Sequence, residues 1–192
     1  MTLAVCRSVR TPALFPLRLF AAAYTDIFRG IPVILTILLV GFGVPGLGLG
    51  RPWNSPYLWG SVALVLAYSS YVAEVFRAGI ESVHESQRAG ARSLGLSSGQ
   101  TLRFVILPQA VRRVIPPLMN DFVSLQKDVA LISLIGPIEI LRQAGIDKSK
   151  FANFTPYVGA AIIFLLLTIP ETRFVDHLMT RERRRTSGTA VR

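Results

Sequence analysis

Charge is scarce in this chain of 192 residues. Asp, Glu, Lys and Arg make up only 17% of it, against 51% hydrophobic residues and a mean hydropathy of +0.48. Soluble domains carry about 25% charged residues, so this composition describes a membrane protein and excludes a disordered one. Cysteine is nearly absent. Cys6 alone permits no intramolecular disulfide and no cysteine-based metal site. It follows Leu3-Ala4-Val5 without an apolar signal core before it, which makes it an incidental small hydrophobe rather than a lipidation site. The two histidines, His84 and His177, have no matching ligands nearby in sequence and read as surface residues, with no footing for metal binding or His-based catalysis. No G-x-x-x-x-G-K-[ST] phosphate loop occurs, so any nucleotide chemistry must come from elsewhere. Gly41-Phe42-Gly43-Val44-Pro45-Gly46 matches G-x-G-x-x-G, but it follows an apolar run, contains proline and reads as a loop at the membrane edge. Asn153-Phe154-Thr155 is a chance match to a glycosylation sequon, with Pro156 next to it. The 15 glycines have no period, which excludes a collagen-like chain.

Long apolar runs are what the chain does have. A hydrocarbon core of about 30 Å takes roughly 20 helical residues. Ile31 to Gly50, Pro52 to Ala73 and Phe151 to Pro170 reach that length without a single Asp, Glu, Lys or Arg. The proline-broken stretch Gly43 to Pro56 reads as a loop, trimming the first span to Tyr24 to Val44 and starting the second near Tyr57. A fourth apolar stretch, Val114 to Ile138, carries Asp121, Lys127 and Asp128 and is expected to be a span with a polar side.

The formal charge of +10 comes from 21 Lys+Arg against 11 Asp+Glu, and the basic residues sort sharply among the flanks. Arg7, Arg10, Arg18 and Arg29 precede or open the first span. Arg77, Arg88, Arg92, Arg103, Arg112 and Arg113 lie between the second span and the fourth stretch, and Arg173, Arg181, Arg183, Arg184, Arg185 and Arg192 close the chain. The other two connections hold only Arg51, Arg142, Lys148 and Lys150. By the positive-inside rule both termini and the long middle connection are cytoplasmic. The charge surplus is then mostly topology, and nucleic-acid binding is not needed to explain it. The cluster Arg181 to Arg185 is expected to hold the C-terminus on anionic headgroups.

The middle connection, Arg77 to Arg113, has too much pattern for a linker. Ser82-Val83-His84-Glu85 fits a capping box that would start a helix, Gly95 suits its end, and Ser97-Ser98-Gly99-Gln100 offers a second box. Between the caps, Ala89, Gly90 and Ala91 form a small-residue surface flanked by Arg88 and Arg92. Such a surface permits close backbone approach by another protein and arginine pairing with its carboxylates. A DNA-binding helix-turn-helix has a similar outline, but this unit is tethered at both ends to membrane helices, and Leu102, Phe104, Val105, Ile106 and Leu107 run into Pro108 as a buried segment would. An amphipathic hairpin lying on lipid without a partner is the plain alternative.

Arg88 to Ala110, RAGARSLGLSSGQTLRFVILPQA, resembles the cytoplasmic loop of ABC importer permeases: Ala89-Gly90-Ala91, Gly95, Val105 and Leu107-Pro108 fall at that motif's spacing. Phe28-Arg29-Gly30-Ile31-Pro32, Glu74 to Ile80, Leu107-Pro108-Gln109-Ala110 and Lys127-Asp128 through Gly136 are similar to the polar amino-acid uptake branch, the histidine, glutamate, glutamine, arginine and opine type. The resemblance runs from Tyr24 to Arg184. It departs at Ala89, where the family has glutamate, at Gly90, where it has alanine, at His84 and Ser86, and at Val129-Ala130. Family members usually carry another membrane helix before the segment near Tyr24, so the chain is expected to lack the first one.

What the resemblance implies is an all-α, polytopic transmembrane helical bundle with a cytoplasmic coupling-helix loop. The expected organisation is a cytoplasmic tail over residues 1–23, a permease domain over 24–180 with the coupling loop at about 81–110, and a basic tail over 181–192. The expected function is the permease subunit of an ATP-driven importer of polar amino acids in the bacterial cytoplasmic membrane. Its implied partners are a cytoplasmic ATPase dimer, a second permease subunit of the same or similar kind, an extracytoplasmic solute-binding protein and lipid. No nucleic acid is among them. The chain is expected to be no enzyme and to bind no cofactor, with ATP and Mg held by the partner ATPase. The ATPase-coupling residues are expected to be Glu85, Arg88, Ala89, Gly90, Ala91, Arg92, Leu94, Gly95, Leu107 and Pro108. Three charges facing lipid in one span would nearly forbid insertion. The solute-path candidates are therefore Asn120, Asp121, Ser124, Lys127 and Asp128, set at helical spacing as one polar stripe. Lys127 and Asp128 either join a structural network or contact a zwitterionic solute. Glu74 and Arg77, three residues apart, form an intrahelical pair or a gate contact. A transport-inactive membrane scaffold that retains the loop is the alternative reading.

Overall fold

The computed structural model describes residues 15–48, 50 and 53–187, with side chains to residue 180. Expectations for Cys6, for residues 1–14, for Arg51 and for the side chains of the Arg181 to Arg185 cluster lie outside it. Among the described residues the chain is helical with no strand. In order come α1 (Phe15–Gly30), α2 (Val33–Gly43) with a 3-10 turn at Pro45–Leu47, α3 (Pro56–Glu81), α4 (Glu85–Ser93), α5 (Ser98–Thr101), a π turn (Leu102–Ile106), α6 (Leu107–Asp128), a 3-10 segment (Val129–Ile135), α7 (Ile140–Phe151) and α8 (Thr155–Ser187).

Two helices, Pro56–Glu81 and Thr155–Thr180, are by themselves long and apolar enough to cross a membrane, and the expected four spans are reached only by counting two bent pairs. Each bend corrects a boundary. The span expected over Tyr24 to Val44 is broken at Gly30-Ile31-Pro32, where α1 meets the α2 segment at 102°. Pro32 cannot donate a backbone hydrogen bond and disfavours helical dihedrals in the residue before it, so the helix stops and restarts. The stretch Val114 to Ile138 likewise holds three elements. Its α-helix ends at Asp128, winds tighter as the 3-10 segment and stops at Gly136, whose φ of +123° is a conformation suited to glycine. The rod from Ser98 to Ile135 then bends by 51° into α7. The expected boundaries at 23/24 and 180/181 both fall inside helices, α1 and α8.

The main core lies where α2, α3 and the 3-10 segment meet. Ile37, Ala63, Leu64, Ile132 and Ile135 are buried together, with Tyr68, Leu125 and Leu131 packed at the edge. Glycine permits this closeness: a Cβ on Gly41 would sit 2.6 Å from Ile135 Cδ1, and one on Gly60 would sit 3.1 Å from Ile132 Cγ2. Gly41 is thus a helical contact point within α2, and only the end of its glycine-rich stretch is the expected loop. The second close crossing joins α3 and α6 near their ends, where a Cβ on Gly79 would overlap Val114 Cγ2.

Candidate functional site

The connection after α3 is a folded platform. Gly95 has a φ of +83°. Its N–H donates to the Arg92 carbonyl at 2.9 Å, and the Leu96 N–H donates to the Ala91 carbonyl at 3.2 Å. These paired bonds form the Schellman closure that Gly95 was expected to provide. The second expected capping box is also present. Gln100 N donates to Ser97 Oγ at 3.3 Å and Ser97 N to Gln100 Oε1 at 2.9 Å. The first one is not. Helix α3 continues through Glu81, Ser82 closes it by donating its hydroxyl to the Gly79 carbonyl at 2.7 Å, and α4 starts after His84 instead. There His84 Nδ1 accepts the Ser86 N–H at 3.2 Å, so this exposed histidine has a capping role that its isolation in sequence concealed.

Beneath α4 is a small hydrophobic cluster of Ile80, Val83, Ile106 and Ala110, with Leu102 against it. This cluster joins the end of α3 to the π turn and the start of α6. In the π turn the Leu107 N–H reaches back five residues to the Leu102 carbonyl. Pro108 follows and has no N–H to continue a regular ladder. Burial along Leu102 to Leu107 is partial: Ile106 is buried, while Phe104 is 61% exposed and carries Arg103 over its ring at 5.7 Å.

This platform corrects the expected outward face. Ala89 and Gly90 are exposed, but Ala91 is buried, on the side where α4 meets the π turn and α5. Of the flanking arginines, Arg88 turns inward and Arg92 stays exposed. Arg88 donates through a guanidinium NH2 group to the Ile80 carbonyl at 3.0 Å and lies 3.8 Å from Glu85, while Arg92 donates to Ser98 Oγ at 2.8 Å. Both tie the loop to itself. Leu94 stands out as an apolar knob, 83% exposed, beside Gly90 and Gly95. Leu107 is half-buried and Pro108 exposed.

At the same end of α3, Arg77 grips Glu74 through two guanidinium nitrogens and reaches Glu81 at 2.5 Å. Arg29 at the end of α1 lies 3.6 Å from Glu74, and Arg113 of α6 donates to the Ser82 carbonyl. Sequence spacing gave the Glu74–Arg77 pair, but the two arginines from other helices were missed.

The single polar stripe expected on α6 divides between two faces. Asn120, Ser124 and Lys127 are exposed, while Asp121 and Asp128 are half-buried. Asp128 accepts a hydrogen bond from Tyr68 of α3 at 2.8 Å, and Tyr68 lies 5.8 Å, ring to ring, from Tyr71. Asp121 Oδ2 is buried and has no hydrogen-bond partner among the described residues. Lys127 and Asp128 are therefore adjacent in sequence but point apart, and among the described residues no ion pair joins them. On the α8 side, Gln126 with its amide nitrogen turned to donate reaches Glu171 at 3.3 Å. Tyr24 of α1 hydrogen-bonds the Leu66 carbonyl and Ser69 of α3. None of these long-range partners was marked in the sequence.

Two clefts lie against α7, at the end of α3 opposite the loop, where Tyr57 Oη accepts the Ile138 N–H at 3.3 Å. One, of about 680 Å³, includes Ser133, Arg142, Gly145, Ser149 and Tyr157; the other, of about 450 Å³, includes Glu139, Gln143, Asp147 and Gly159. Their polar groups are largely engaged at home: Arg142 donates to the Ser133 carbonyl at 2.8 Å, and Glu139 caps α7 by accepting from Leu141 N and Arg142 N. No three His, Cys, Asp or Glu side chains gather as a metal site among the described residues.

Residues 13–184 match the family model described as binding-protein-dependent transport system inner membrane component. The probable glutamine ABC transporter permease protein GlnM of Bacillus subtilis (strain 168) is 36% identical over 167 residues, covering 86% of this chain and 76% of its own length. The probable amino-acid ABC transporter permease protein y4tG of Sinorhizobium fredii (strain NBRC 101917 / NGR234) is 37% identical over 177 residues, 91% of this chain and 74% of its own. Among solved structures, a crystal structure of an amino acid ABC transporter with histidines matches with a TM-score of 0.85 and 32% identity, covering 94% of this chain and 82% of that one.

Proposed function

The chain belongs to the family of binding-protein-dependent transport system inner membrane components, and from that premise we propose a polar amino acid as its solute and α4 as the seat of its ATPase. It is a membrane-embedded permease subunit of an importer. The substrate class rests on the glutamine and amino-acid permeases it resembles. Solute-binding and ATPase partners belong to the family in general. For this chain, ATP and Mg sit on a separate ATPase dimer, a second permease subunit completes the pathway, and the chain itself does no covalent chemistry. The arginine distribution supports a cytoplasmic position for both termini and the α3–α6 connection.

The observation that carries the coupling assignment is the form of the platform. Ala89 and Gly90 leave a thin exposed backbone ridge ending in Leu94, while Arg88, Ala91 and Arg92 brace it from below. A groove on the ATPase takes the ridge, and closure of the paired ATPases moves it. Because Ile80, Val83, Ile106 and Ala110 weld the platform to α3 and α6, the motion passes to two membrane helices together. Asp128 with Tyr68 forms the braced side of the solute path, and Asp121 offers an acceptor for the solute amino group or for water. Asn120, Ser124 and Lys127 supply its open polar face. The Glu74–Arg77 pair acts at the cytoplasmic gate.

The test is ATP-dependent uptake of labelled glutamine and other polar amino acids into vesicles containing the chain and its partners. Uptake that requires ATP on the ATPase side supports the reading. An assembled complex with ATPase bound but no uptake of any amino acid leaves the scaffold reading standing instead.

A further inference from the structure

Helix α1 is attached to the α2 segment through Gly30-Ile31-Pro32 and leaves it at 102°. With the apolar segment Val33–Leu47 set along the membrane normal, a helix turned this far from it runs close to the membrane plane. At about 3.6 residues per turn, the residues of α1 sort into three sectors. Ala21 and Thr25 are buried, and Tyr24 beside them bonds Leu66 and Ser69 of α3; this sector faces the bundle. Phe20 and Ile27, 62% and 54% exposed, share the next sector, which continues round the helix through Leu19 and Phe15, 61% and 64% exposed. Arg18 and Arg29 lie across the helix from Phe20 and Ile27, where Arg29 reaches Glu74, and Asp26 falls between Phe15 and Leu19.

An apolar sector and a cationic sector separated across one helix, with a third side fixed to a membrane bundle, match the geometry of a helix lying at a lipid–water boundary. We propose that α1 is an in-plane interfacial helix whose Phe20 and Ile27 side enters the acyl region of the bilayer while Arg18 stays among anionic headgroups. Three observations select lipid as the occupant. The helix is joined to the apolar Val33–Leu47 segment by a linker two residues long, its axis turns by 102° there, and Arg18 and Arg29 lie across the helix from Phe20 and Ile27. Arg29 and Tyr24 fix its rotation about its own axis, so the apolar sector is aimed rather than free to roll.

The full chain, with Cys6→Ser and single cysteines at Phe20, Ile27 or Arg18, is labelled with an environment-sensitive fluorophore and reconstituted in phosphatidylcholine–phosphatidylglycerol vesicles. Lipids brominated near the headgroup should quench the labels at 20 and 27 by about twofold, and more than lipids brominated near the chain ends. The label at 18 should respond to aqueous iodide and not to bromolipid. A label at Leu165 in α8 provides the lipid-facing control. Absence of bromolipid quenching at both 20 and 27 while Leu165 responds overturns the proposal, because protein then covers that face. Deeper quenching by chain-end bromines at 18, 20 and 27 alike also overturns it, since the helix would then cross the bilayer. If a cysteine at 20 or 27 prevents folding, Ile27→Trp in a Trp53→Phe, Trp59→Phe background gives the same readout.

Discussion

The two ends of α3 are built on opposite economies of space. Toward the Pro56 end, α2, α3 and the 3-10 segment are pressed together until a methyl group on Gly41 would collide with Ile135 and one on Gly60 would sit 3.1 Å from Ile132. At the Glu81 end the platform also contains glycines, but Gly90 and Gly95 have nothing within 4 Å of an added Cβ. The first set is small because the protein already fills the space. In the second, Gly95 is needed for its φ of +83°, while Gly90 is small where the protein's own packing does not require it, which fits the proposed contact with the ATPase. Identical residue types thus serve internal packing in one region and leave an open surface in the other.

The sharpest way to break this contrast is to enlarge one glycine of each kind. Gly41→Leu collides with Ile135 in the core between α2, α3 and the 3-10 segment, and overpacking of this sort costs about 1–3 kcal/mol or more. Membrane abundance and monodispersity in detergent should fall severely. Gly90→Leu meets no neighbour and replaces a poor helix former, a gain of about 1 kcal/mol in an exposed helix. Its abundance should hold while ATPase co-purification is lost. Equal abundance losses in the two variants would erase the distinction drawn here.

Leu94→Asp tests the knob alone. Burying a leucine contributes about 1.5–3 kcal/mol, so ATPase retained on the purified chain should drop at least about tenfold with no change in thermal midpoint. Retention at the parent level would show that the ridge is not the contact. In the interior, Tyr68→Phe and Asp128→Ala each remove the Tyr68–Asp128 bond between α3 and α6, worth about 1 kcal/mol in a membrane protein. Each should lower the midpoint by about 2–4 °C. The double variant should be little worse than either, and a fully additive loss would mean the two side chains act separately. The smallest effect belongs to Gln100→Ala, which opens one half of the capping box and should cost at most about 1 kcal/mol. Faster amide exchange at Ser97, with transport unaltered, is the expected readout.

Legibility in the sequence followed the range of the interaction. Gly95 and the Ser97–Gln100 box were readable because each is completed within a few residues. Ser82 misled for the same reason: Ser-x-x-Glu is a valid local pattern, but α3 runs on to Glu81, and the hydroxyl closes that helix instead of opening the next. Pro32 was in plain view, yet a search for uncharged windows does not register a change of direction. Ala91 looked like part of a surface because helical periodicity does not say which face a following π turn will cover. The split of the α6 stripe depends on Tyr68, sixty residues from Asp128, and one sequence carries no trace of such a pairing.

The π turn at Leu102–Ile106 has a geometric consequence for everything beyond it. It amounts to one extra residue wound into an otherwise continuous rod. Excising a residue there would leave composition and hydropathy almost untouched, yet it would swing the azimuth of α6 by about 100° relative to the platform. Asp128 would then leave its tyrosine and Ala110 its pocket. The local winding number, as much as any side chain, sets which way α6 faces.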